Sequence, residues 1–233
     1  MGNGLRLWNV VLTYRQAAGS QTVLDVDELT VARGAAVGIT GPSGSGKSSL
    51  LYVLAGVERP QNGSVTWGET EITRLPEAER DRWRRQHVGM VFQDFHLLPG
   101  MTALQNVLLA ATFDRLAAPA PLKDRGRSLL AQVGLRGGGQ RVETLSRGEM
   151  QRVAVARALL FAPPIVLADE PTASLDAAHG GVVGDLLLAL CREAGSTLVV
   201  VSHDRLLLQR LEVVHTLTNG RLASSPQPLP QPC

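Results

Sequence analysis

The run GPSGSGKS, Gly41 to Ser48, follows the short apolar stretch Ala36 to Thr40 and precedes SLLYVLAG. It fits G-x-x-x-x-G-K-[ST] between a strand and a helix, the setting that gives this spacing a mechanical meaning. The glycines let successive backbone N–H groups point into one concavity, where they and the helix N-terminus bind phosphate oxygens. Lys47 is then placed to reach the outer phosphates as a compact charge, and the Ser48 hydroxyl to take a position on Mg²⁺. With strand, loop and helix in order, a merely mobile Gly/Ser loop is the weaker reading.

Composition sharpens the reading of Lys47. Of 23 basic residues only Lys47 and Lys123 are lysine and the other 21 are arginine, so this chain uses arginine wherever a generic cation suffices. The broad planar guanidinium does not suit the phosphate loop, and there the chain departs from its habit.

The pattern around the loop alternates strands and helices. Leu5 to Tyr14 and Leu24 to Val31 read as paired strands, and Gly63 to Thr73 as a further pair around Trp67 and Gly68. ERDRWRRQH, Glu79 to His87, reads as a solvated helical face. VGMVFQ, Val88 to Gln93, is a strand, followed by a turn at Pro99-Gly100 and a helix near Thr102. Pro119 and Pro121 precede a helix from about Leu122 to Val133, and Gly137 to Gly139 form a flexible joint. Residues 95–160 are thus mainly helical, an insertion between the strands of an α/β core. Buried parallel-type strands then appear in PPIVLADEP and STLVVVSHD, with a helix from about Ala178 to Glu193 between them. Val213 to Leu222 closes with a hairpin at Asn219-Gly220, and the tail SSPQPLPQPC reads as disordered.

With 233 residues the chain can bury one substantial core. A formal charge of +2 with 44% apolar residues fits an ordinary globular protein and gives no electrostatic footprint for nucleic acid. Cys191 and Cys233 lack metal-ligand spacing and read as reduced, incidental thiols of a cytosolic protein. No run approaches the ~18 apolar residues of a membrane span, so work at a membrane requires a partner that spans it.

In IVLADE, Ile165 to Glu170, two acids emerge at a strand's carboxyl end, where ligands of open α/β sheets sit. Asp169 suits Mg²⁺, directly or through water, and Glu170 suits polarising a water that attacks a terminal phosphate. His203 ends the next strand in the same way, where its imidazole can hydrogen-bond a phosphate oxygen. His87, His96, His179 and His215 have no such placement and read as structural.

The ordered set GPSGSGKS, Gln93 in VFQDFHLLPG, LSRGEMQR, IVLADEPTASLD and VSHD resembles the ATP-binding subunit of ABC transporters over about Leu5 to Leu222. The resemblance implies an α/β fold: a P-loop NTPase (RecA-like) core with an N-terminal antiparallel β subdomain and an inserted helical subdomain that carries the ABC signature. Residues 1–223 would be one ATPase domain, with the core at about 1–94 and 160–223, the helical part at about 95–159, and a tail at 224–233. It implies ATP and Mg²⁺ bound by Tyr14, Gly41, Pro42, Ser43, Gly44, Ser45, Gly46, Lys47, Ser48, Ser49, Gln93 and Asp169, with Ser48, Gln93 and Asp169 at the metal. Glu170, His203 and Lys47 would carry catalysis.

By the same resemblance two chains would form a homodimer around two ATPs, each lending Ser146, Arg147, Gly148, Glu149 and Asp176 to the other's nucleotide. The nearest subfamilies in look are the lipoprotein-releasing, macrolide-exporter and cell-division ATPases. That implies a peripheral location on the cytoplasmic face of the inner membrane and a permease partner docking near Gln93 to Met101, where Phe92, Phe95, Leu97, Leu98 and Met101 cluster. The competing class is a soluble or regulatory ABC ATPase acting on cell-division machinery or nucleic acid, and no coiled-coil insertion or second ATP-binding unit supports it.

The family signature is LSGGQ, and this chain reads LSRGE. Three readings of Arg147 stand open: an ordinary helical residue pointing away, a guanidinium on the partner's phosphate or carboxylate, or a degenerate signature with slow hydrolysis. If the position required positive φ, the side chain would cost about 1–2 kcal/mol.

Overall fold

The computed structural model describes residues 4–16, 19–112 and 118–223. The chain starts with β1 (Leu5–Gln16) and β2 (Gly19–Val31), antiparallel neighbours in which Leu5, Leu7, Val10 and Leu12 face inward with Leu24, Val26, Leu29 and Val31. The burial alternates as a sheet with one covered face requires. Asn9, at φ 47°, interrupts the pairing of β1 with its other neighbour between Trp8 and Val11, and Gly63 lies against the irregularity. A Cβ on Gly63 would sit 2.3 Å from the Asn9 carbonyl oxygen.

Next come β3 (Ala36–Thr40), α1 (Lys47–Leu54), β4 (Asn62–Trp67) and β5 (Thr70–Glu71). The small antiparallel sheet has the order β2-β1-β4-β5. Its last strand is shorter than the expected span to Thr73, because the chain turns at Ile72–Arg74 and tucks Ile72 into the core. The Arg-rich segment is α2 (Glu77–His87), which buries Trp83 and leaves most of its charges in water, as its pattern predicts.

The remaining elements are β6 (Val88–Val91), α3 (Ala103–Leu108), α4 (Ala120–Gln132), α5 (Arg147–Ala158), β7 (Ile165–Asp169), α6 (Ala177–Ala194), β8 (Thr197–Val201), α7 (Arg205–Leu208), β9 (Val213–Thr218) and β10 (Arg221–Leu222). The large sheet runs β10-β9-β3-β8-β7-β6, all parallel except the terminal hairpin strand β10. Every residue of β7 and β8 is buried, since the sheet is covered on both faces. One face joins α1 and the antiparallel sheet in a single apolar core, and the other joins α6 and the α3–α5 lobe in a second. Each fully buried Val or Leu contributes about 1.5–3 kcal/mol before conformational entropy is counted.

The helical stretch between β6 and β7 is an insertion, as expected, but two local expectations change. β6 ends at Val91 rather than Gln93, because Phe95 and His96 adopt left-handed φ of 56° and 47° and take the chain out of the sheet. The glycine joint is ordered: Leu104 N–H donates to the Gly138 carbonyl at 3.0 Å, Ala103 N–H to that of Gln140 at 2.9 Å, and Gly138 packs beside Leu130. Those bonds satisfy α3's first amides, which explains why the glycines are held. The Pro-rich tail, with Cys233, lies outside the described residues.

Candidate functional site

Because β3, β8, β7 and β6 are parallel, their carboxyl ends share one edge, and the loops that follow them meet there. The loop after β3 is the glycine-rich run. Gly41, Gly44 and Gly46 have φ of 154°, 75° and 100°, and a Cβ on Gly41 or Gly46 would lie 2.0 Å from the Leu217 carbonyl oxygen or 2.8 Å from that of Val23. These positions require glycine. The β9–β10 turn braces the loop: Gly220 N–H donates to the Ser45 carbonyl at 3.0 Å, and Asp25 N–H to the Gly220 carbonyl at 2.8 Å. The hairpin was legible as N-G, but its role as a brace was not.

Gly46 precedes α1 without a side-chain cap, so among the described residues no capping side chain takes up the first amides of the helix. Lys47 Nζ lies across the loop, donating to the carbonyls of Gly41 at 2.9 Å and Pro42 at 3.0 Å. Ser45 Oγ is buried and has no hydrogen-bond partner among the described residues, and Pro42, Ser43 and Ser49 complete the loop and the first turn.

At the end of β7, Asp169 is mostly buried, and desolvation raises its pKa, opposed by a hydrogen bond from Ser48 and the charge of Lys47. A buried carboxylate against a serine hydroxyl at an uncapped helix start suits Mg²⁺, which takes few protein ligands and fills its octahedron with water and phosphate oxygens. Among the described residues no group of three or more His, Cys, Asp or Glu could hold a metal ion. Gln93 is the exception: its side chain is exposed, and among the described residues no hydrogen bond joins it to Ser48 or Asp169. Tyr14 is half-buried on β1 and near enough to Tyr52 to raise that phenol's pKa, after burial and Asp169.

Glu170 follows with φ 46°, a strained position for a residue with a side chain. Its amide donates to the Val201 carbonyl at 2.8 Å, so β8 holds it in place. The carboxylate is paired with His203 Nδ1 at 2.9 Å and accepts from Ser202 Oγ at 3.2 Å and His203 N–H at 3.3 Å. Glu170 and His203, read separately from sequence, are a contact pair. Thr172 Oγ1 donates to Asp204 at 2.8 Å, fixing the turn beyond them.

The signature lies at the start of α5. Ser146 is its N-cap and Glu149 its third residue, joined in a capping box: Glu149 N–H donates to Ser146 Oγ at 3.3 Å, while Glu149 Oε2 accepts from Ser146 N–H and Oγ, each at 2.8 Å. Those bonds, the backbone one foremost, lower the Glu149 pKa. The S-x-x-E spacing carried this signal in sequence, and a glutamine at the same position can close the same box. T-x-x-Q at Thr102 and Gln105 caps α3 in the same way.

Arg147 is the first helical residue of α5 and has no positive φ, so it bears no left-handed strain. Its head group is engaged within its own chain: Nε donates to the Ser174 carbonyl at 3.0 Å and the guanidinium lies 5.4 Å from the Phe95 ring centroid. Gly148 is buried beside His179, whose Cδ2 would be 3.5 Å from an added Cβ. Asp176 caps α6, accepting from the amides of Ala178 at 3.1 Å and His179 at 3.0 Å and from His179 Nδ1 at 2.6 Å. Those contacts, led by the His179 amide, lower its pKa. His179, taken as structural, is thus the partner of a predicted site residue.

Residues 24–173 match the ABC transporter family. The chain is 39% identical over 90% of its length to the lipoprotein-releasing system ATP-binding protein LolD of Legionella pneumophila (strain Paris), covering 92% of that protein. It is 40% identical over 94% of its length to an uncharacterized ABC transporter ATP-binding protein of Mycobacterium tuberculosis (strain ATCC 25618 / H37Rv), covering 88% of it. In three dimensions it matches a dimeric post-hydrolysis ATP-binding cassette bound to ADP and Pi, with a TM-score of 0.86 and 35% identity over 97% of this chain and 99% of that one. The family match, the length of these alignments and the shared cassette fold lead to one assignment: the chain belongs to the ABC transporter family, as an ATP-binding, ATP-hydrolysing subunit.

Proposed function

We propose that the protein hydrolyses Mg-ATP at the carboxyl edge of the parallel sheet, as a homodimer whose chains each complete the other's site, and so drives a separate membrane-spanning partner. The observation that carries this reading is the convergence of Lys47, Ser48 and Asp169 with the Glu170–His203 pair on one edge. The uncapped start of α1 and Lys47 would bind the phosphates, and Tyr14 would stack on adenine. Ser48 and Asp169, with Gln93 brought in by its loop, would hold Mg²⁺. That ion, when bound, neutralises charge on the phosphate oxygens. Glu170 would take the proton of the attacking water, and His203 would keep the carboxylate oriented while donating to a terminal phosphate oxygen.

The partner's Ser146 and Gly148 would close over that phosphate with the positive end of the α5 dipole. Support for a dimer comes from the dimeric cassette of matching fold. For the membrane partner, support comes from relatives named as parts of a lipoprotein-releasing system, which also favours lipoprotein or lipid extraction over other cargo. Among the described residues no helix is long and apolar enough to cross a membrane, so attachment to the cytoplasmic face would run through the partner. The docking segment would be Gln93 to Met101, where Leu98 is 44% exposed, whereas Phe95 is buried and serves the inner contacts described above.

The test is Glu170→Gln. ATP binding and ATP-driven dimerisation should persist while turnover falls about 10²–10⁴-fold. Wild-type turnover in that variant would remove Glu170 from the mechanism.

A further inference from the structure

Three segments of the proposed two-chain site come from distant parts of this chain: the stretch after β6, which would serve the chain's own metal, and the loop before α6 and the start of α5, which would serve the partner's nucleotide. In a single chain they are already joined. Ser174 Oγ donates to the Gln93 carbonyl at 3.4 Å, the Ser174 carbonyl accepts from Arg147 Nε at 3.0 Å, and the Arg147 guanidinium covers the Phe95 ring at 5.4 Å. Around this knot, Gly148 packs on His179, which is paired with Asp176. At the other end of α5, Arg157 donates to the carbonyls of Phe95 at 2.6 Å and His96 at 2.5 Å, holding the left-handed pair after Gln93.

We propose that Arg147 is a positioning residue that locks the Gln93–Phe95 stretch, the Ser174–Asp176 loop and the signature helix of one chain into a single body. The chemistry needed is that of arginine. One edge of the guanidinium supplies a directed N–H to a carbonyl, and its planar face lies over an aromatic ring, a combination unavailable to an ammonium. A glycine at this position, as in LSGGQ, would leave the Ser174 carbonyl without this donor and the Phe95 ring uncovered. The helix would then be tied to the post-β6 stretch by Arg157 alone among the arginines described here.

A body held at both ends of α5 has a consequence for catalysis. A displacement of the stretch after Gln93 reaches Ser146 and Gly148 without loss in a slack hinge, and the same displacement moves Asp176. This consequence rests on the reading that Ser146 and Gly148 face the partner's nucleotide, but the knot itself is present in each chain before any partner is bound. Arg147 departs from the family signature, yet it substitutes a mechanical contact in its own chain for the conformational freedom of glycine.

Hydrogen exchange on the full-length, nucleotide-free chain tests the lock directly. Arg147→Gly should speed exchange about threefold to tenfold in peptides spanning residues 92–98 and 172–178, with the P-loop peptide unchanged. Arg147→Lys keeps the charge and should fail to restore protection. Phe95→Leu combined with Arg147→Gly should be no worse than the more affected single variant, because both remove one unit. Unchanged exchange in both segments would overturn the proposal. So would full restoration by lysine, because a point charge without the planar guanidinium would then suffice. These readouts do not involve turnover, so a failure of the two-chain site would leave them standing and would be seen separately in mixed-chain activity.

Discussion

α1 and α5 both begin with small residues at a loop, and their first turns are finished in opposite ways. α1 starts after left-handed Gly46 with no side-chain cap, while α5 starts at Ser146 inside a complete capping box. Each helix has the same partial positive charge at its start. In α1 no side-chain cap takes up that charge, and Lys47 lies over the loop beside it. In α5 the Glu149 carboxylate takes up the Ser146 N–H and hydroxyl, and Arg147 ties the turn to Ser174. On the proposed function the contrast separates two tasks: the first helix start would bind phosphate by itself, and the second would keep its shape until another chain supplies what it closes on.

Substitutions at the two starts should differ accordingly. The largest effect belongs to Lys47→Ala, which should bring ATP binding and turnover to background while circular dichroism stays that of the folded chain. Titration with a fluorescent nucleotide checks it, and near-native affinity would mean that the loop amides alone hold the phosphates. Ser146→Ala should act on the scaffold: loss of the cap lowers stability by about 1 kcal/mol in thermal or urea unfolding, with nucleotide affinity of the single chain unchanged.

The smallest effect is expected from Glu149→Gln, since glutamine also closes a capping box. At pH 7 its stability should stay within about 0.5 kcal/mol of wild type. Acid separates the two. The folded-state pKa of Glu149 is below the ordinary 4.5, so its contribution is present above about that pH and is lost as pH falls through the lowered value. The exposed setting keeps this slope small, and Glu149→Gln should lack it in a pH series of melting curves.

What the sequence disclosed follows from how each feature is encoded. β3, β7 and β8 are short runs of buried apolar residues ending in the chemistry itself, so both the strands and the shared edge of Lys47, Asp169, Glu170 and His203 could be read from pattern and order. The caps at Thr102 and Ser146 were written locally as T-x-x-Q and S-x-x-E and could have been read. By contrast, the Gly220–Ser45 brace joins residues 175 positions apart, and the Arg147–Ser174 and Arg147–Phe95 contacts cross between loops. The brace depends on where the β9–β10 turn meets the loop after β3, and the arginine contacts on how the β6–β7 insertion folds back; no local period records either. The glycine joint at 137–139 misled for a like reason: the carbonyls of Gly138 and the adjoining Gln140 serve α3's amides, a use invisible until both segments are placed.

The central claim, that the open start of α1 and the closed start of α5 meet on one nucleotide from two different chains, is tested by mixing two inactive variants. Lys47→Ala spoils only the phosphate loop, and Gly148→Asp sets a carboxylate where the partner's phosphate would come, with room for its Cβ beside His179 at 3.5 Å. Each alone should be inactive, since every site in its homodimer contains a damaged half. An equimolar mixture should recover turnover, up to about a quarter of wild type for random pairing with one intact site in each mixed dimer. Turnover in the mixture no higher than in the separate variants would place both halves of the site in one chain and contradict the account.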